Sequence, residues 1–216
     1  MSLPVLYSLR QCPYAMRARL GVLLAEQPVI LRDIVMTNIP EEMITASSKG
    51  EVPVLVFDDG TVIDESIDIM LWALNKNDPQ DLLYNNHPKL IEEVEAFIRY
   101  IDNEFVEALK KYKAASRYHD DAEVEHRQQC EIFIKNIEDS LTKQKYIFGD
   151  KPSLADYAIL PFIRQFSRVD RKWYLHSPYP KLRSWLERHY QNPLFSKAMK
   201  KYPQWLDTKE VIVFEE

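Results

Sequence analysis

The sequence predicts an α/β layer followed by an all-helical segment, and three observations carry that prediction. Residues 3–75 alternate short apolar runs with helix-period segments in the order βαβα-ββα. Asn, Asp and Pro then cluster between Asn75 and Pro88, which reads as a connector. Past that point apolar residues recur every three or four positions and no strand pattern is visible. These observations divide the chain into an α/β domain over 1–77, a linker over 78–87 and a helical bundle over 88–216.

The elements follow in order. Val5–Ser8 is a short apolar strand, and Pro13–Ala25 is a helix with Met16, Leu20, Leu23 and Leu24 on one face. Val29–Val35 is apolar almost throughout, as a strand covered on both faces should be. Asn38 is placed to cap a short helix starting near Pro40. Val52–Phe57 and Thr61–Ile63 flank Asp58-Asp59-Gly60, a hairpin signal that makes the sheet mixed. Ile67–Leu74 is the next helix. In the second half, Leu90, Val94, Phe97, Ile101, Phe105 and Leu109 mark one long helix, and Cys130, Phe133, Ile137 and Leu141 mark another. Ser153 and Asp156 are spaced as a capping box, so Asp156 reads as a helix cap and not a catalytic acid. Pro180–Tyr190 and Pro193–Lys201 complete the bundle, and apolar Val211–Phe214 needs a covering surface.

Composition narrows the function. The 216 residues carry a net charge of −5 with no long single-sign run, which argues against a nucleic-acid partner. Neither a leader-like segment nor an apolar run long enough to span a bilayer is visible, so the expected setting is cytoplasmic, without a membrane partner. Two cysteines far apart in sequence suit a reducing compartment, and the five histidines lack metal-ligand spacing.

The chemistry centres on Arg10-Gln11-Cys12-Pro13-Tyr14-Ala15-Met16-Arg17. Cys12 falls between a strand and a helix N-terminus, where free N–H groups and the helix dipole favour thiolate over thiol. It is the candidate nucleophile, with Arg10 and Arg17 as further positive charge if either turns inward. Cys130 lies on an apolar stripe and reads as an inert core residue. Tyr7 is a rival activating hydroxyl, but strand alternation favours packing. Val52-Pro53 opens a strand; a cis bond there would present the Val52 N–H and C=O to an extended peptide, although trans is the commoner state. Asp64-Glu65-Ser66 opens a helix and is suited either to capping by Asp64 or to holding an amino-acid head group.

Cys12-Pro13-Tyr14-Ala15, Glu51-Val52-Pro53-Val54, Asp64-Glu65-Ser66 and Ser153-Leu154-Ala155-Asp156 occur in the order and spacing of the glutathione transferase superfamily. Over essentially its full length the chain resembles a bacterial member close to the omega-class transferases and the two-domain glutaredoxins. The resemblance implies a thioredoxin-like N-terminal domain, an all-helical C-terminal domain with the active site between them, and a homodimer. It also implies that Pro53 is cis, that Pro13 and Tyr14 shape the loop of the reactive Cys12, and that glutathione is the co-substrate. Val52 would then pair with the cysteinyl part of glutathione, and Glu65 and Ser66 would hold its γ-glutamyl end. Two departures stand out. Ala15 occupies the place where glutaredoxins often carry a second cysteine, and the lysine of omega-class enzymes falls near Ile39, with Lys49 as a possible substitute. Tyr112, Arg164 and Trp173 are candidates to line the pocket for a small electrophilic or disulfide substrate. The expected activity is a glutathione-dependent thiol transferase or reductase. Conventional conjugation of glutathione and non-enzymatic binding are the alternatives.

Overall fold

A computed structural model describes residues 2–215, which form two compact units: residues 2–80 with 192–215, and residues 81–191. In the first unit, strands β1 (Val5–Ser8), β2 (Val29–Asp33), β3 (Val54–Val56), β4 (Val62–Ile63) and β5 (Ile212–Phe214) make one mixed sheet in the order β4-β3-β1-β2-β5. β1 runs parallel to β2 with Val5 opposite Ile30, and the remaining pairs are antiparallel. Gly60 takes a φ of +84° at the predicted hairpin, where its N–H bonds back to the Phe57 carbonyl at 3.1 Å.

Helix α1 (Pro13–Leu24) packs on α3 (Ser66–Lys76) and α10 (Pro193–Ala198). Because neighbours cover it on several sides, every residue from Ala15 to Leu24 is buried, including Arg17 and Arg19. The one-faced pattern expected of this helix is therefore incomplete. Two arginines on the supposed polar side find buried partners: Arg17 donates to Ser66 at 3.4 Å, and Arg19 donates to Asp33 at 2.6 Å and to Ser8 at 2.7 Å. Gly21 lets α1 and α3 close together, since a Cβ there would lie 2.7 Å from Met70 Cα.

Helix α2 (Glu41–Ala46) has Pro40 at its N-cap. Asn38 does not cap it and instead closes a turn, its N–H bonding to the Val35 carbonyl at 3.2 Å.

The second unit holds α4 (Pro88–Tyr100), α5 (Val106–Tyr118), α6 (Glu123–Lys143), α7 (Leu154–Phe166), α8 (Arg171–His176) and α9 (Pro180–Gln191). The long helix expected across Leu90–Leu109 runs as α4, a π-helical turn over Ile101–Phe105, and α5. The wider turn keeps Ile101 and Phe105 fully buried, with the Phe105 ring against Phe133 and Phe166. Asp156 is wholly buried and accepts from the Ser153 N–H at 2.9 Å, the Ser153 hydroxyl at 2.8 Å and Trp185 Nε1 at 2.8 Å. It is a structural cap.

Two expectations need correction. Residues 88–216 are not uniformly helical: β5 bonds to β2, with Phe214 opposite Val29, because the apolar Ile212–Phe214 segment finds its cover on the edge of the sheet. Pro193–Lys201 does not complete the bundle: α10 falls in the first unit and packs on α1, while in the connector 78–87 Leu82, Leu83 and Tyr84 are buried and the Leu82 carbonyl accepts from the Leu154 N–H at 3.0 Å.

Candidate active site

β1 delivers the chain to a tight turn in which the Cys12 N–H bonds to the Leu9 carbonyl at 2.9 Å. Cys12 has extended backbone (φ −73°, ψ 126°) and is the N-cap of α1, with Pro13 opening the helix. Its carbonyl accepts the first intrahelical bond, from the Met16 N–H at 2.9 Å. The side chain is half-buried, and neither Cys12 nor Cys130 forms a disulfide. Tyr14 follows, half-buried in the first turn.

The Val52–Pro53 bond is cis, as the family resemblance implied and against the commoner trans state. The Cys12 thiol lies 3.8 Å from the Val52 carbonyl oxygen, to which it donates. Cys12, Val52 and Tyr7 share one apolar cluster with Ala15, Met43 and Trp205.

At the start of α3 the residues divide their roles. Glu65 is the N-cap, with extended backbone and its carboxylate 62% exposed. Ser66 is buried and accepts from Arg17 Nη1 at 3.4 Å, which ties the helix after Cys12 to the helix after Glu65. Asp64 does not cap α3. Its carboxylate accepts from the Ser47 hydroxyl at 2.7 Å and from Lys49 at 3.0 Å, and those bonds hold it below the usual carboxylate range. Lys49 also reaches Glu65 at 2.6 Å. Hydrogen bonds to Glu65 and then Asp64 raise the lysine above its ordinary value.

Cys12, Pro13, Val52, Pro53, Lys49, Glu65 and Ser66 all belong to the first compact unit. Tyr112, Arg164 and Trp173 belong to the second. Tyr112 is only 1% exposed and packs against Phe166, so burial gives it a core role in place of the expected pocket lining. Trp173 meets the same Phe166 ring edge-on and carries Arg127 at 4.4 Å over its face. Arg164 lines a small basic cavity with Lys113, Arg117 and Arg168.

Tyr7 is packing. Its ring is 3% exposed and edge-on to Trp205, its hydroxyl accepts from Arg32, and burial raises its pKa. Cys130 is fully buried, and burial pushes its thiol up to about 12. Arg17 is the residue that sequence reasoning undervalued. It is 1% exposed, and its link to Ser66 spans 49 positions that periodicity within one helix does not connect.

Residues 6–81 match the glutathione S-transferase N-terminal domain family, and residues 93–188 match its C-terminal domain family. The mouse (Mus musculus) protein glutathione S-transferase omega-1 is 27% identical over 201 residues, covering 88% of this chain and 78% of that protein. Among solved structures, a glutathione S-transferase-I bound with lactoylglutathione has a TM-score of 0.78 at 22% identity, covering 92% of this chain and 99% of its own. A glutathione transferase family member from Pseudomonas fluorescens, with two glutathione molecules bound, has a TM-score of 0.79 at 14% identity, covering 91% and 92%. At those identities the two structures speak for the fold. With both domain families matched in order along the sequence, the chain belongs to the glutathione transferase superfamily.

Proposed function

We propose that this protein is a glutathione-dependent thiol transferase that works through a Cys12–glutathione mixed disulfide. The observation that carries the proposal is the Cys12 thiol at the N-cap of α1, 3.8 Å from the carbonyl of Val52 beside cis-Pro53. A helix N-terminus lowers the free energy of an anion by about 0.3–1 kcal/mol at exposed positions and more when partly buried. Cys12 sits at that position half-buried.

Glutathione fits the surrounding groups. Among the described residues the Val52 N–H has no backbone acceptor, so it is available to an extended peptide lying alongside. Glu65 offers an exposed carboxylate to an α-ammonium group, and the Ser66 hydroxyl and the α3 N-terminus offer donors to an α-carboxylate. Lys49 adds a cation at the same end.

The reaction is two thiol–disulfide exchanges. The Cys12 thiolate attacks the glutathionyl sulfur of a mixed disulfide, forming Cys12–S–S–glutathione and breaking the original S–S bond. The substrate leaves as a thiolate and takes a proton from water. A second glutathione thiolate then attacks the same sulfur, which restores the Cys12 thiolate and releases oxidised glutathione. Ala15 stands where a neighbouring thiol would be needed for internal resolution, so glutathione is the resolving thiol.

Intact-mass analysis after incubation with oxidised glutathione tests this. One glutathionyl adduct is expected, mapped to Cys12, absent from Cys12→Ser and discharged by reduced glutathione. Absence of an adduct on Cys12 overturns the mechanism. Turnover of a chloro-nitro-aromatic that survives Cys12→Ser would point to conjugation.

A further inference from the structure

The helical unit has a cavity that the thiol chemistry leaves unused. It opens among the C-terminal end of α7, α8 and α9, has a volume of about 460 Å³, and is lined by Arg168, Arg171 and Arg183. Glu187 is the one acidic residue of that lining, so the wall is positive on a chain whose net charge is −5. Among the described residues none of these three arginines forms an ion pair. Arg183 is held in place because one of its nitrogens donates to both the carbonyl and the hydroxyl of Ser177. That bonding occupies one nitrogen of a group that has three. The field continues past Arg168, which also lines the adjoining cavity with Lys113, Arg117 and Arg164.

The rest of the wall is mixed, with the hydroxyl residues Ser167 and Ser184 beside Tyr174, Leu175, Leu186 and Tyr190. Leu175 lies at the cavity 54% exposed, Tyr190 is half-buried beside it, and Tyr174 is 5% exposed with a buried hydroxyl that lacks a partner among the described residues. A guanidinium fork matches phosphate and carboxylate oxygens two at a time, and a leucine left in water gains by covering an apolar body.

We infer that this cavity binds a small organic dianion, a phosphate monoester or a dicarboxylate, with its charged end on Arg168, Arg171 and Arg183 and its apolar body on Leu175 and Tyr190.

Calorimetric titration of the full chain in glutathione-free, low-salt buffer, with phenyl phosphate, phthalate and inorganic phosphate as probes, tests the inference. At least one organic dianion is expected to saturate a single site about tenfold or more tightly than inorganic phosphate, and the preferred probe shows which charged group the cavity takes. The double variant Arg168→Gln/Arg171→Gln changes two exposed side chains. It is expected to weaken that binding about tenfold or more, with thermal unfolding and Cys12 glutathionylation unchanged. Leu175→Asn is expected to weaken the organic probe and leave inorganic phosphate unaffected. The inference is overturned if neither organic dianion saturates, if inorganic phosphate binds equally well, or if the arginine double variant binds like the parent.

Discussion

Lys49 Nζ lies 2.6 Å from Glu65 Oε1 and 3.0 Å from Asp64 Oδ1, so one ammonium group bridges two carboxylates at the mouth of α3. On the proposed reading, the α-ammonium group of glutathione shares the Glu65 carboxylate with this lysine. Glu65→Gln should weaken glutathione binding about tenfold or more, through loss of a charge-assisted bond. Lys49→Gln should change it less than threefold, because an exposed lysine is strongly screened by water. Calorimetry on the two variants, repeated at high salt, checks both; a tenfold loss in Lys49→Gln would make the lysine a direct ligand contact.

The two cysteines should differ sharply toward a small alkylating reagent. Cys12 is half-buried at a helix start, while Cys130 is fully buried with its thiol pushed up to about 12. Peptide mapping after brief iodoacetamide treatment of the folded chain should find label on Cys12 alone, and denaturation should bring Cys130 to the same extent. Label on Cys130 in the folded protein would contradict its buried setting.

Arg19 and Asp33 form a buried ion pair in the first unit, the arginine side chain fully enclosed and the carboxylate 11% exposed. Removal of the carboxylate alone by Asp33→Ala leaves an uncompensated guanidinium inside and should cost about 3–5 kcal/mol. Urea unfolding measures the loss. The companion double variant Arg19→Met/Asp33→Ala should recover a substantial part of it.

Gly21→Ala should also destabilise, by about 1–3 kcal/mol, since the new methyl group would meet the Met70 backbone at 2.7 Å. Helix propensity alone predicts the opposite sign at a mid-helix glycine. The same urea experiment therefore separates propensity from packing.

Acid sensitivity should arise in the second unit, at His189. Burial, with a smaller effect of Arg188, lowers its pKa from 6.5 to about 4. The ring packs among Tyr146, Tyr157 and Trp185, and its buried Nε2 has no partner among the described residues. The carboxyl facing this cluster is Asp156, bonded to Trp185 and raised by burial. A histidine whose folded pKa is depressed contributes its full stability above pH 6.5, and that stability drains away as pH falls toward 4. The contribution is on the order of 3 kcal/mol. His189→Phe should flatten the stability profile across that interval, and the difference between variant and parent isolates the histidine from Asp156.

Local signals recovered the strands β1 and β2, the hairpin, α1 and the Ser153–Asp156 cap, because each is set by neighbours in sequence. Cys12 was legible for the same reason: a strand end, a proline and a helix start lie within a few residues. What failed to show was long-range. The bond from Arg17 to Ser66 and the Arg19–Asp33 pair join segments whose polar residues look like solvent faces when each is read alone. The place of Val213 and Phe214 was equally hidden, since an apolar tail states a need for cover without naming the surface.

That last pairing orders events in the life of the molecule. Strand β2, near the beginning of the chain, remains an open edge until residues 212–214 arrive to close it. During synthesis the helices of 81–191 leave the ribosome before residues 212–214, and the sheet must wait unfinished for a partner that begins 179 residues after the end of β2 (212 − 33). Nascent chains stalled just short of Ile212 should therefore be the ones that clump or recruit chaperones.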